Sequence, residues 1–130
     1  MIHDAIILGA GPAGLSTALG LARQLYSVIV FDSQRYRNYP ADHMHNVLSW
    51  DHKAPSEFRA SARANILSRY DTVSIRDVKI DSLVKTKEGY YEATDCNGGR
   101  TVGKIVVLAM GVADQLPDIP GFAELWGRSM

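Results

Sequence analysis

Two groups of residues in this chain carry chemistry. The first is Gly9-Ala10-Gly11-Pro12-Ala13-Gly14, a G-x-G-x-x-G loop, followed eighteen positions after Gly14 by Asp32. Such a loop holds a pyrophosphate against backbone N–H groups. Gly9 makes the tight turn off a strand, Gly11 leaves no Cβ in the path of the phosphates, and Gly14 lets the following helix pack closely. The helix N-terminus adds unpaired donors and the positive end of its dipole. An acid at position 32 accepts hydrogen bonds from ribose hydroxyls and repels a 2′-phosphate. That favours an adenosine of the FAD or NAD kind. The plain alternative is a glycine turn in a doubly wound fold that holds no nucleotide.

The second group is His43, His45, Asp51 and His52, three of the four histidines and an acid within one short stretch. An Asp–His pair supplies general acid–base catalysis near neutral pH. His45, Asp51 and His52 are therefore the candidate catalytic residues of a non-redox reaction, an isomerisation, elimination or cyclisation in a small-molecule pocket. The competing reading has these side chains only capping loops or lining a groove. The spacing of His43, His45 and His52 fits no zinc motif, and no metal site is expected. Cys96 is the single cysteine, set in the turn-forming stretch Asp95-Cys96-Asn97-Gly98-Gly99, and it reads as incidental.

The elements that must position these groups follow from hydrophobic pattern. Ile6-Ile7-Leu8 reads as a buried strand running into the glycine loop, Leu15 to Leu25 as a helix, and Val28-Ile29-Val30-Phe31 as a second strand ending in Asp32. Ser33 to Lys53 is polar and aperiodic, a length of loop that is commonly functional. Pro55-Ser56-Glu57 looks like a helix start, and Phe58, Ala62 and Ile66 give an amphipathic helix to about Arg69. Val73 to Val78 suggests a short strand. Ile80 to Lys87 and Tyr90 to Thr94 form a hairpin about Glu88-Gly89. Asn97-Gly98-Gly99 turns into a third β segment, and Lys104 to Ala109 is an apolar run expected to be a strand buried on both faces.

At 130 residues, with fourteen basic and fourteen acidic residues, the chain reads as one soluble domain with no electrostatic case for nucleic acid or an anionic membrane. No apolar run is long enough for a membrane span, and the opening one leads into the glycine loop rather than a cleavage site. A cytoplasmic location is the expectation. The fold class expected is α/β: a Rossmann-like domain with a central parallel sheet and a small antiparallel β-meander. Residues 1–115 form that domain, and residues 116–130 form a connector and tail.

These residues together make the chain resemble the FAD-binding half of the pyridine nucleotide–disulfide oxidoreductases. It is most similar to the fungal thioredoxin-reductase-like flavoproteins that oxidise dithiols in natural-product pathways. The resemblance rests on Gly9 to Gly14, Phe31-Asp32-Ser33, Arg35-Tyr36-Arg37-Asn38, His43-Met44-His45, Trp50-Asp51-His52, Leu108 to Val112 and Leu116 to Gly121. It implies an FAD cofactor with its pyrophosphate on Gly9, Gly11, Pro12, Ala13 and Gly14 and its adenosine ribose on Asp32. Arg37, Asn38 and the segment to His45 would lie along the flavin, Val78 near the adenine, and Ala109-Met110-Gly111 beside the pyrophosphate.

Three departures stand against a simple transfer. Met110 replaces the threonine of the family's usual Ala-Thr-Gly, and Ala113 stands where an arginine is usual. The sequence also ends at Met130, before the His-Cys-x-x-Cys site and the nicotinamide domain of relatives. The expectation is thus a truncated FAD-binding module, unable alone to run the dithiol/NADPH cycle. The alternatives are a redox-inactive relative reused as an isomerase, lyase or cyclase of secondary metabolism, or a non-catalytic partner subunit. The expected partners are a small-molecule substrate and a second copy or another chain covering an open face near Phe122, Leu125 and Trp126.

Overall fold

The computed structural model describes residues 1–128; the last two residues of the 116–130 tail, Ser129 and Met130, lie outside the described residues. The chain runs β1 (Ile2–Leu8), α1 (Pro12–Arg23), β2 (Val28–Phe31), α2 (Pro55–Leu67), β3 (Val73–Arg76), β4 (Ile80–Lys85), β5 (Tyr91–Asp95), β6 (Arg100–Leu108) and α3 (Phe122–Leu125). One six-stranded sheet has the order β3-β2-β1-β6-β5-β4. Its β3-β2-β1-β6 half is parallel and its β6-β5-β4 half antiparallel. This is the α/β Rossmann-like architecture with a meander that the sequence pattern implies.

β1 and β2 are apolar throughout because both of their faces are covered. On one face Ala5, Ile7, Val28 and Val30 pack under Leu15, Ala18 and Ala22 of α1 and Ile66 of α2. On the other, Ile6, Leu8, Ile29 and Phe31 meet Ala93, Ile80 and Leu83, so the meander curls over the sheet. Ile6, Ile7, Ile29 and Val30 are wholly buried, each worth about 1.5–3 kcal/mol by area. Among the described residues no helix is long and apolar enough to cross a membrane.

Three sequence expectations change here. The third β segment and the Lys104–Ala109 run are one strand, β6, whose first half pairs with β5 while its length runs beside β1. That strand is not buried on both faces: Ile105 is 49% and Leu108 64% exposed. Leu108, paired with Leu8, exposes the face away from the helices at the strand end that lines the groove, whereas Ile105, paired with Ala5, is on the helical face and lies past the helical cover. α1 packs on β2, α2 and β1, leaving much of β6 beyond its cover. The first helix also starts earlier than its apolar period, at Pro12, a position where the missing N–H costs nothing. It stops at Arg23, and Leu25 leaves it with φ 64°.

Candidate functional site

β1 lies between β2 and β6, so the chain leaves it toward opposite sides, and a crevice opens at the carboxyl ends of these strands. A groove of about 940 Å³ occupies that crevice. Its floor is the segment Leu8 to Ala13, its walls are Phe31 to Ser33 after β2 and Leu108 to Val112 after β6, and Val78 to Ile80 borders it.

The glycine loop is shaped by contacts that admit no side chain. Gly9 has φ 107°, and a Cβ on it would run into the carbonyl of Ala109. A Cβ on Gly14 would strike the carbonyl of Gly9, so α1 sits directly on the loop. Gly11, by contrast, has open space where its Cβ would be, and it lines the groove with Pro12 and Ala13. The first turn of α1 carries no acidic residue and no side-chain cap. Its orphan N–H groups and positive dipole end are therefore left for an anion.

Asp32 is 2% exposed, and its carboxylate is held from three directions. Gln34 donates its backbone N–H to Oδ1 at 2.8 Å. Tyr36 donates its hydroxyl to Oδ2, and Arg63 of α2 donates Nη1 to the same oxygen at 3.0 Å. Arg63 also reaches Asp77 at 2.8 Å, tying α2 to the loop after β3. Burial, and then the hydrogen bond to Asp32, pushes the Tyr36 hydroxyl up to about 12. The Arg59 guanidinium lies 3.7 Å from the centre of the Tyr36 ring and donates to Asn38 at 2.9 Å. Across the groove mouth, Arg37 grips Asp114 through two bonds of 3.0 and 3.1 Å.

Of the residues expected to hold a cofactor, Gly9, Gly11, Pro12, Ala13 and Asp32 line the groove, as do Arg37, Asn38, Val78, Ala109, Met110 and Gly111. Gly14 lies buried behind the lining, acting through helix packing. His45 is outside the lining of this groove. The loop from Met44 to Lys53 closes on itself through Met44 N–H to Lys53 C=O and His52 N–H to Met44 C=O, both 2.8 Å. That closure turns His45 toward Asp51, Nδ1 to Oδ1 at 3.2 Å.

His52 joins the same carboxylate, Nε2 to Oδ2 at 3.4 Å. The Asn46 N–H, and then the two imidazoles, hold the Asp51 carboxyl below its usual range. His43 is exposed and takes no part in the grouping. None of these four residues lines the groove, so acid–base groups and pocket stand apart. Arg59, Arg63, Asp77 and Asp114 are not marked by any sequence motif, and Tyr36 enters there only as part of the Arg35–Asn38 stretch, with no role of its own. The one available signal was the pair Arg59 and Arg63, four apart on the helix that carries Phe58 and Ala62. Ala113 is outside the groove lining, whereas its neighbour Asp114 is part of it. In the tail, Phe122 and Trp126 stack at 5.8 Å, and Trp126 and Gly127 line the groove.

Residues 3–130 match the family described as pyridine nucleotide-disulphide oxidoreductase. Thioredoxin reductase tcpT of Claviceps purpurea is 52% identical, aligned over 99% of this chain and 40% of its own length. Thioredoxin reductase aclD of Aspergillus oryzae is 45% identical over 99% of this chain and 41% of its own. The chain thus spans about 40% of the length of these curated relatives. Among solved structures, an oxidoreductase from Agrobacterium tumefaciens superposes with a TM-score of 0.91 at 38% identity, covering 98% of this chain and 43% of that one. HlmI does so with a TM-score of 0.90 at 35% identity, covering 98% and 40%.

Proposed function

Since the chain belongs to the pyridine nucleotide-disulphide oxidoreductase family, we propose that it is the FAD-binding portion of a thioredoxin-reductase-like flavoprotein. The observation that carries this reading is the glycine loop at the crevice. Two of its glycines are fixed by backbone contacts, while Gly11 faces open space on the groove side. That is a cradle in which a pyrophosphate meets N–H groups rather than side chains. The groove residues fit the rest of a dinucleotide. Asp32 offers carboxylate oxygens to a ribose, Val78 borders the adenine end, and Met110 adds an apolar wall where a hydroxyl is usual.

Bound there, FAD supplies a two-electron carrier between a nicotinamide and a dithiol–disulfide pair. The chain's own residues hold and orient. The first turn of α1 faces the diphosphate charge, Asp32 fixes the ribose, and the Arg37–Asp114 pair spans the mouth. With Cys96 as the single cysteine, thiol–disulfide exchange requires a dithiol supplied from outside these residues. The full cycle on a natural-product dithiol belongs to an assembly that provides it.

The absorbance spectrum of the purified protein, taken before and after addition of FAD and removal of the excess, tests the reading. Retained flavin bands are the expected result. A protein that stays colourless after reconstitution would overturn it.

A further inference from the structure

We propose that His45, Asp51 and His52 form a binding site for a divalent first-row transition ion, with Zn²⁺ as the probe. The inference is independent of the cofactor reading, because none of the three residues lines the groove. His45 Nδ1 and His52 Nε2 stand 3.2 and 3.4 Å from the oxygens of the carboxylate between them. Ligand atoms held at about 2.0–2.1 Å on a tetrahedral ion are about 3.3 Å apart, so each imidazole nitrogen already stands at that spacing from one oxygen of the carboxylate. One donor atom from each residue lies within 4.8 Å of the other two.

The donor set narrows the ion. Two imidazoles and one carboxylate suit zinc, cobalt, nickel or copper, whereas calcium and magnesium require more oxygens. Three protein donors leave a further coordination position, and the exposure of all three side chains opens it to water.

The loop is organised before any ion arrives. Two backbone hydrogen bonds of 2.8 Å close its neck between Met44 and the His52–Lys53 pair, and Asn46 N–H holds Asp51 Oδ1 at 3.1 Å. Asn46, Ser49 and His52 all adopt left-handed backbone, with φ of 61°, 69° and 62°. Three such residues in seven are unusual for non-glycine positions, and they aim His52 back across the loop at Asp51. In the ion-free state His45 Nδ1–H donates to Asp51 Oδ1, while His52 Nε2 makes a 3.4 Å contact with Oδ2 that is not a hydrogen bond. A shift of tautomer at His45, with no change of charge, moves that proton to Nε2 and frees the Nδ1 lone pair.

Titration calorimetry of ZnCl₂ into the tag-free 130-residue chain is the test, with circular dichroism confirming that each variant is folded. One equivalent should bind saturably. Asp51→Asn and His52→Asn should each weaken binding at least about tenfold, at or beyond the loss seen when a residue supporting a metal ligand is removed. Asparagine tolerates the left-handed backbone at 52, so the loop keeps its shape. His43→Ala should leave binding unchanged. Absence of saturable binding, or binding that survives both substitutions, overturns the proposal. Equal weakening by His43→Ala would do so too, since it would mark diffuse histidine binding.

Discussion

The hydroxyl of Tyr36 donates to the carboxylate of Asp32, the residue that follows β2 and lines the groove. The acid that sequence assigns to a ribose is thus already part of a protein network that includes Gln34 and Arg63. A carboxylate has about four lone-pair sites, so Asp32 accepts these three donors and keeps capacity for a ligand hydroxyl.

This bond has an alkaline signature. The Tyr36 hydroxyl is raised from 10.0 to about 12, so its contribution to stability is fully present below pH 10 and is lost as pH rises toward about 12. Phenolate absorbance of the folded protein should show one late-titrating tyrosine, absent from Tyr36→Phe. Loss of stability between those pH values should shrink in that variant. A variant that titrates and melts like the parent would refute the bond.

Arg63 holds Asp32 on one side and Asp77 on the other. Removing it leaves a carboxylate that is 2% exposed short of a cationic donor. Urea unfolding of Arg63→Gln should show a loss of about 2 kcal/mol. Substitution of the exposed Arg69 should stay within about 0.5 kcal/mol.

At the other end of the sheet, Lys104 and then Ser27 hold the Asp4 carboxyl down to about 2 from 3.8. A depressed carboxylate stabilises above its unfolded value, and the gain is lost as pH falls through the folded one. Melting temperature should therefore drop between about pH 4 and pH 2, and Asp4→Asn should remove part of that drop. Equal acid sensitivity in the two proteins would show that the pair contributes nothing.

Gly14 sits where a Cβ would meet the carbonyl of Gly9. Gly14→Val must push α1 off the loop, with an expected loss of at least about 2 kcal/mol in urea unfolding. Gly20, on the same helix with open space around it, should accept alanine at no cost or with a gain of a few tenths of a kcal/mol.

Much of this was legible in the sequence because it is local. The glycine loop, the apolar runs of β1 and β2 and the terminal acid are periodic or motif-borne, and they fall where pattern puts them. β6 was misjudged because burial depends on what covers a strand. Ile105 and Leu108 are as apolar as Ile6 and Ile7, but Ile105 lies past the edge of α1 and Leu108 opens on the other face at the groove. The partners of Asp32 were hidden for a related reason. Arg63 reaches it from 31 positions away, through packing of α2 that helical period announces only as a face. The shape of the loop carrying His45 was hidden by backbone detail, since Asn46, Ser49 and His52 take left-handed backbone without any glycine to signal the bends.

The central claim is that the crevice over Gly9 to Gly14 holds the adenosine diphosphate part of FAD. Titration of the chain with FAD, ADP and FMN, followed by calorimetry, tests it most directly. FAD and ADP should bind at one equivalent and compete with each other. FMN, which lacks the adenosine half, should bind at least about tenfold more weakly, a difference of about 1.4 kcal/mol. Equal binding of FMN, or no binding of FAD and ADP, would contradict the account.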